Sequence, residues 1–514
     1  MPKAEKATAS KPRKASSVEE WHDTVDVLVL GFGAAGACAA IEAADAGASV
    51  LVVEAASAGG GTTALAGGQI YFGGGTPTQI ACGVEDTLED MFQYMVRTCG
   101  PSVEEERVRL YVDNNLEHYD WLLAQGMEFK PELVTEKLNN THGDEGLIYS
   151  GMEACYPYDE HAKPAPRGHK GKAKGEGGGA MLMEKLIASA VAKGVRVDYE
   201  TRALTAIVDD SVSDAADAGS RVVGLVVRAD GKERCIAARR GVVLCAGGFM
   251  MNREMLAQHA PRLLAANYPL GNPNDTGVGI RIGQGVGGLA INMHEGFVSL
   301  PFYPPANMVE GVLINSKGQR LLAEDCYHGR MGEEMFNAPD EKFYLVIDSK
   351  NFDALEKPPL AGYSVAQVGD TVEELESELG LPASSLCSTL AFFNEHAANG
   401  EDPLFHKRLP YLKPLDEPPY AAFDFSMGGG AWFPAFTFGG LDTTLDSEVR
   451  DPDGSIVQGL YAAGRTTAGL PRCGATYSSG LSIGDATFFG RRAGVAAASS
   501  SAHPIAGFSA SVSE

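Results

Sequence analysis

The residues best able to bring chemistry to this chain are three glycines and an acid. Gly31-Phe-Gly-Ala-Ala-Gly36 has the G-x-G-x-x-G spacing of a dinucleotide cradle, and Glu54 follows about 20 residues later. In such a cradle Gly31 makes the tight turn, Gly33 lets the backbone approach a pyrophosphate, and Gly36 lets helix and strand pack closely. Free N–H groups and a partial positive charge at the start of the next helix then face the phosphates. Glu54 is placed to accept hydrogen bonds from an adenosine ribose, and its charge would repel a 2′-phosphate. NADP is disfavoured and both NAD and FAD stay open, so the expected chemistry is electron transfer through a bound dinucleotide.

These residues need a strand, a turn, a helix and a second strand to hold them. Val25 to Leu30 is an apolar β-rich run that enters the glycines, Ala34 to Ala46 reads as a helix stopped by Gly47, and Ser49 to Val53 is a strand ending at Glu54. Further helices are expected at Thr87 to Met95, where Thr87 and Asp90 resemble a capping box, at Val103 to Gln125, and at Ala180 to Lys193. Strands are expected at Val195 to Tyr199, Val222 to Val227, Cys235 to Ala238, and from Gly241 toward Gly248. Pro164 to Gly175 is basic but lacks the G-K-[S/T] ending of a phosphate loop, so it reads as a solvated loop. Residues 291 to 425 are richer in Pro and aromatics and lose the strand–helix rhythm, which marks a second domain. The C-terminal third returns to that rhythm and closes with a helix from Leu481 to Ala498.

Composition narrows the class. At 514 residues the chain is about three times a ~150-residue domain, and its 62 glycines exceed the ~7% usual share. With 42 Lys+Arg against 67 Asp+Glu the net charge is −25, which repels phosphodiester backbones and excludes nucleic acid as a partner. Nine scattered cysteines without a C-x-x-C pair, and histidines without ligand spacing, point to a reducing, cytoplasmic compartment and to no bound metal. Met1 to Glu20 reads as a disordered basic leader, and no run of ~18 apolar residues forms a transmembrane segment.

In chain order, the fingerprint, Glu54, Gly60-Gly-Thr-Thr63 with Gly67-Gly68, Ala246-Gly247-Gly248 and Gly459-Leu-Tyr-Ala-Ala-Gly464 resemble the FAD-dependent fumarate reductase and 3-ketosteroid dehydrogenase flavoproteins from about Asp26 to Gly494. The resemblance implies an α/β fold: a Rossmann-like FAD-binding domain of the glutathione reductase type over 21–290 and 426–505, with an inserted α+β substrate-capping domain over 291–425. It also implies FAD contacts from Gly31, Gly33, Ala35, Gly36, Glu54, Gly60, Thr62, Thr63, Gly67, Gly68, Ala203, Ala246, Gly247, Gly464, Arg465, Gly480, Leu481 and Ser482. Thr62 replaces the histidine that binds flavin covalently in the membrane-bound relatives, so the FAD is expected to be non-covalent. Arg465 stands where a glutamate is usual.

Tyr477 occupies the place of the arginine acid of the dicarboxylate enzymes, and it is followed by Ser478-Ser479-Gly480 rather than by the Pro-Gly-x-Gly of the Δ1-dehydrogenases. Glu324-Asp-Cys-Tyr-His-Gly-Arg330, Thr437-Phe-Gly-Gly-Leu441 and Tyr477-Ser-Ser-Gly-Leu-Ser-Ile-Gly-Asp485 are most similar to the 3-ketosteroid Δ4-(5α)-dehydrogenases. That likeness implies catalytic roles for Tyr327, Tyr477 and Ser479, a steroid substrate and an external electron acceptor. His328, beside Tyr327, reads as a loop residue. The alternatives are the reverse reaction on a 4-ene-3-ketosteroid, Δ1-dehydrogenation, a fumarate-reductase type of activity, and an electron-transferring flavin subunit.

Overall fold

In the computed structural model, residues 10–210, 221–300, 306–338, 341–353 and 364–504 are described. Strand β1 (Asp23–Leu30) leads into the glycine turn, helix α1 (Ala34–Asp45) follows, and β2 (Val50–Val53) lies parallel to β1 with Val27 opposite Val50 and Leu30 opposite Val53. All four residues of β2 are buried, as a parallel strand covered on both faces requires. Arg196–Asp198 extends the sheet beyond β2, and β3 (Lys232–Leu244) lies on the other side of β1.

Strand β3 serves two sets of neighbours. Its first half pairs antiparallel with Val222–Ala229, which continues to Arg202–Val208, while Val242 to Leu244 pair in parallel with β4 (Ile456–Ala462). A register shift between Ala238 and Gly241 marks the change. The two strands expected here are thus one, because Arg239 and Arg240 are absorbed as an irregularity and not as a turn.

Helix α2 (Leu481–Ser499) packs on α1 at backbone distance. A Cβ at Gly490 would meet the Ala35 carbonyl oxygen at 2.5 Å, and one at Gly494 would meet the Ala39 carbonyl oxygen at 2.2 Å. Two regions far apart in sequence are joined by glycine facing alanine.

A second core gathers Leu313, Met331, Phe343 and Phe423 around an antiparallel sheet ordered Val312–Asn315, Phe343–Asp348, Tyr420–Asp424, Val365–Gly369. Phe249, Met255 and Leu263 bury in the same core, as do Phe433 and Ala435, so this body extends past the expected limits of 291 and 425 on both sides. Tyr268–Pro269, Pro434–Thr437 and Gly296–Val298 form a small sheet beside it.

Two further expectations are corrected. The basic stretch is not wholly a solvated loop: Gly168–Lys170 is a strand paired with Gln69–Tyr71 and Leu147–Ile148, and Arg167, His169 and Lys170 are buried with partners, while Lys172 and Lys174 stay exposed. Arg167 meets Asp86 at 2.6 Å with both side chains fully buried, His169 Nε2 lies 2.8 Å from Thr76 Oγ1, and Lys170 Nζ donates to Gly143 O at 2.8 Å. The leader is not disordered from residue 10 onward: Arg13–Lys14 pairs with Ile207–Val208, and Ser16 Oγ donates to Asp210 at 2.6 Å. Residues 1–9 lie outside the described residues. The nine cysteines are free thiols, and no described helix is long and apolar enough to cross a membrane.

The α1–α2 contact tolerates no side chain at Gly490. Gly490→Val is expected to destabilise the protein by about 1–3 kcal/mol, while Val495→Ala on an exposed part of the same helix should stay within about 0.5 kcal/mol. Chemical denaturation of the two variants checks the contrast.

Candidate active site

The starts of α1 and α2 and the ends of β1, β2 and β3 open onto one cleft of about 690 Å³. Of the expected cofactor residues, Gly31, Gly33, Ala35, Glu54, Thr62, Thr63, Gly67, Gly68, Ala203, Ala246, Gly247, Gly464, Arg465, Gly480 and Ser482 line it, together with Tyr477 and Ser479. Gly36, Gly60, Leu481 and Tyr327 stand behind the wall. The Gly60 N–H donates to the Phe32 carbonyl at 2.8 Å, and Leu481 is fully buried in the core.

Gly31 has φ +95°, and a Cβ there would strike the Cys245 carbonyl oxygen at 2.5 Å; at Gly36 it would strike the Gly31 carbonyl oxygen at 1.9 Å. At Gly33 it would meet nothing closer than 3.9 Å, because this position faces the open cleft. Gly33 caps α1 without a side-chain bond, and Thr63 Oγ1 reaches only the Ala34 N–H, at 3.5 Å. The first turn of α1 is therefore left with N–H groups for an anion. Glu54 accepts from the Phe32 and Ala56 N–H groups, each at 2.8 Å, which fixes the turn. A carboxylate has about four acceptor positions, so capacity remains for ribose hydroxyls. This cradle fits the adenosine and pyrophosphate of FAD.

Toward the other end, Arg465 is held by Asp275 Oδ2 at 2.9 Å and donates to Thr62 Oγ1 at 3.1 Å, with its guanidinium 5.7 Å from the Phe436 ring centroid. Thr62 Oγ1 also accepts from the Asn272 backbone at 3.2 Å. Arg465 is thus a fixed cation beside the cleft, in place of the usual acid.

The segment before α2 is non-helical, and its side chains alternate. Tyr477 and Ser479 face the cleft, while Ser478 turns inward to Tyr94 Oη at 2.7 Å and Thr98 Oγ1 at 2.9 Å. Ser479 Oγ lies 2.7 Å from Tyr327 Oη. Tyr477 Oη donates to Ser482 Oγ at 3.1 Å and accepts from the Ser482 N–H at 3.4 Å, so it sits on the helix start. Phe297, Phe438 and Phe436 surround its ring at centroid distances of 4.9, 5.2 and 5.8 Å. Burial pushes both phenols up, Tyr327 strongly, so each keeps its proton at neutral pH.

Tyr327 reaches the site from the second body on a charge-anchored loop. Glu324 receives Arg320 at 2.8 Å and Lys407 at 3.2 Å, and Asp325 receives Arg408 at 2.6 Å. Burial would raise the Glu324 carboxyl, but Arg320 and Lys407 overcome it and hold it at about 2. His328, expected in a loop, is instead the first residue of helix His328–Phe336 and lines the cleft, with Nδ1 2.5 Å from Ser299 Oγ. Burial lowers it to about 3, which keeps the imidazole neutral. Sequence reasoning missed Phe297, Phe436, Ser299 and Asn272. Only Phe436 carried a nearby signal, since it immediately precedes Thr437-Phe-Gly-Gly.

Glu324→Gln removes the ion-pair partner of buried Lys407 and leaves buried Arg320 with Asp402 alone, and is expected to lose about 3 kcal/mol. Because the folded carboxyl lies at about 2, below its ordinary 4.5, its contribution is full above pH 4.5 and fades as pH falls toward 2. Urea denaturation should show the widest gap between wild type and variant at pH 7 and a narrower one at pH 3. At the other end of the cleft, Gly33→Ala should leave apoprotein stability within about 0.5 kcal/mol yet reduce FAD retained after desalting, because the methyl enters the phosphate path.

Residues 26–477 match the family model described as FAD binding domain. The chain is 27% identical to the cytochrome-type fumarate reductase of Shewanella frigidimarina, over 96% of this chain and 81% of that protein. It is 29% identical to the 3-oxo-5-alpha-steroid 4-dehydrogenase of Comamonas testosteroni, over 87% of this chain and 93% of that one. Among solved structures it is similar to the 3-ketosteroid-Δ4-(5α)-dehydrogenase from Rhodococcus jostii RHA1 in complex with 4-androstene-3,17-dione, at 42% identity and TM-score 0.88, covering 95% of this chain and 99% of that chain. The cradle and these likenesses agree on FAD as the cofactor, and the chain belongs to the FAD-binding family of flavoproteins that includes the ketosteroid dehydrogenases and fumarate reductases.

Proposed function

We propose that the protein is a dehydrogenase that introduces a 4,5 double bond into 3-keto-5α-steroids and passes the electrons to an external acceptor. The observation that carries this reading is the 2.7 Å contact of Tyr327 Oη with Ser479 Oγ, in the same cleft as a Tyr477 phenol seated on a helix start. The named activities of the Comamonas and Rhodococcus relatives support it. The cofactor-binding half corresponds in this reading to a Rossmann-like domain of the glutathione reductase type, and the body that supplies Tyr327 to a cap that excludes water. Thr62, engaged by Arg465 and Asn272, offers no nitrogen for a flavin bond, in keeping with dissociable FAD.

Desaturation next to a ketone removes a weakly acidic α-proton, builds charge on the carbonyl oxygen and expels a hydride from the β-carbon. Bound FAD supplies the hydride acceptor. Tyr477 Oη exchanges its bond to Ser482 for one to the ketone oxygen, while the Ser482 N–H still polarises the phenol; such a preorganised donor is worth ~3 kcal/mol where charge develops. Ser479 is a poor base alone. Joined to Tyr327, its oxygen takes the C4 proton as its own proton passes to Tyr327 Oη, and the tyrosine releases one toward solvent. The high affinity of the Tyr327 phenol for its proton makes it a relay and not a standing phenolate.

Anaerobic titration with 5α-androstan-3-one should bleach the oxidised flavin spectrum. Ser479→Ala and Tyr327→Phe should keep FAD yet slow the bleaching by ~10²–10⁴, and Tyr477→Phe by ~10²–10³. An intact flavin that no saturated 3-ketosteroid bleaches would refute the reading.

A further inference from the structure

The small sheet beside the second core also builds one wall of the cleft, and its residues alternate. Along the central strand and the two residues that lead into it, Phe433 and Ala435 bury in the second core, whereas Trp432, Pro434 and Phe436 stay partly or wholly exposed on the other side. Pro434 and Phe436 line the cleft, as does Tyr268, the register partner of Pro434 on the edge strand. Phe436 packs on the Tyr477 ring, so it marks the reacting end. Trp432 lies two residues ahead of the strand and so, at about 3.3 Å per extended residue, about 13 Å from Phe436 and outside the cleft lining itself.

There Trp432 stacks on Tyr268 with ring centroids 5.6 Å apart and planes 7° from parallel. Both rings remain about half exposed, at 46% and 49%. Asn267 holds the two segments together, donating to the Ala431 carbonyl at 2.8 Å and accepting from the Phe433 N–H at 2.7 Å. The pair is therefore a fixed apolar surface that joins the cleft lining through Tyr268 and is left open to solvent.

We infer that Tyr268 and Trp432 are specificity-determining residues that support the end of the steroid remote from its ketone, the five-membered ring and its substituent. The inference rests on the function proposed above. A fused ring system does not bend, so with the ketone at Tyr477 and the C4–C5 bond beside Ser479 the remote rings pass along Phe436 and Pro434 to this pair. A substrate without those rings gains nothing from it.

The test uses the FAD-loaded full chain with two substrates: 5α-androstane-3,17-dione, and trans-2-decalone, which keeps the reacting rings and lacks the remote ones. Trp432→Ala and Tyr268→Ala should raise KM for the tetracyclic ketone about tenfold with kcat within about twofold. They should weaken 4-androstene-3,17-dione binding equally, read as perturbation of the flavin absorption band. Trp432→Phe should recover most of the loss, and with decalone the change in KM should stay below about twofold. Equal losses on both substrates would mean that the pair merely props the wall, and unchanged tetracyclic binding would remove the pair from recognition; either overturns the inference. If the wild-type protein binds neither ketone, the function proposed above fails and this inference falls with it.

Discussion

The site depends on two helices meeting backbone to backbone. Gly490 and Gly494 of α2 lie against the carbonyls of Ala35 and Ala39 in α1, and this contact brings both helix starts to one cleft. The free N–H groups of the first face the phosphate path, and the Ser482 N–H of the second meets the Tyr477 phenol. Neither start has a side-chain cap of its own at the Ncap position, since both begin on glycine. The same residue type thus solves a packing problem along the helices and leaves donors unspent at their ends.

The third participant comes from a body with a separate core. Tyr327 sits three residues beyond Glu324 in a loop that buried cations fix in place, so its hydroxyl reaches Ser479 without freedom to swing. Breaking one partner of a buried charge network is far more costly than breaking a surface pair. The aromatic rings around Tyr477 complete the arrangement by removing water from the space its hydroxyl serves.

What was legible in the sequence was local. The strand, glycine turn and helix from Asp23 to Asp45 follow from apolar runs, alanine content and glycine spacing, and the observed elements keep nearly the same limits. What was hidden depends on partners distant in sequence. Arg167, His169 and Lys170 look solvated until Asp86, Thr76 and Gly143 arrive as hydrogen-bond partners. His328 looks like a loop residue until the neighbouring core buries it, and Phe297 and Phe436 carry no motif because strand register alone turns them to the cleft. The limits of the second body shift for the same reason, since Phe249 to Leu263 choose their core by three-dimensional proximity.

Placing α2 against α1 also orders events during synthesis. The nucleotide fingerprint leaves the ribosome early, but the surface that seals its helix is encoded at Gly490 and Gly494, after the whole second body. Domains form as their parts emerge, N-terminal first, so the nascent α1 stays an unsealed alanine surface until translation reaches the last helix.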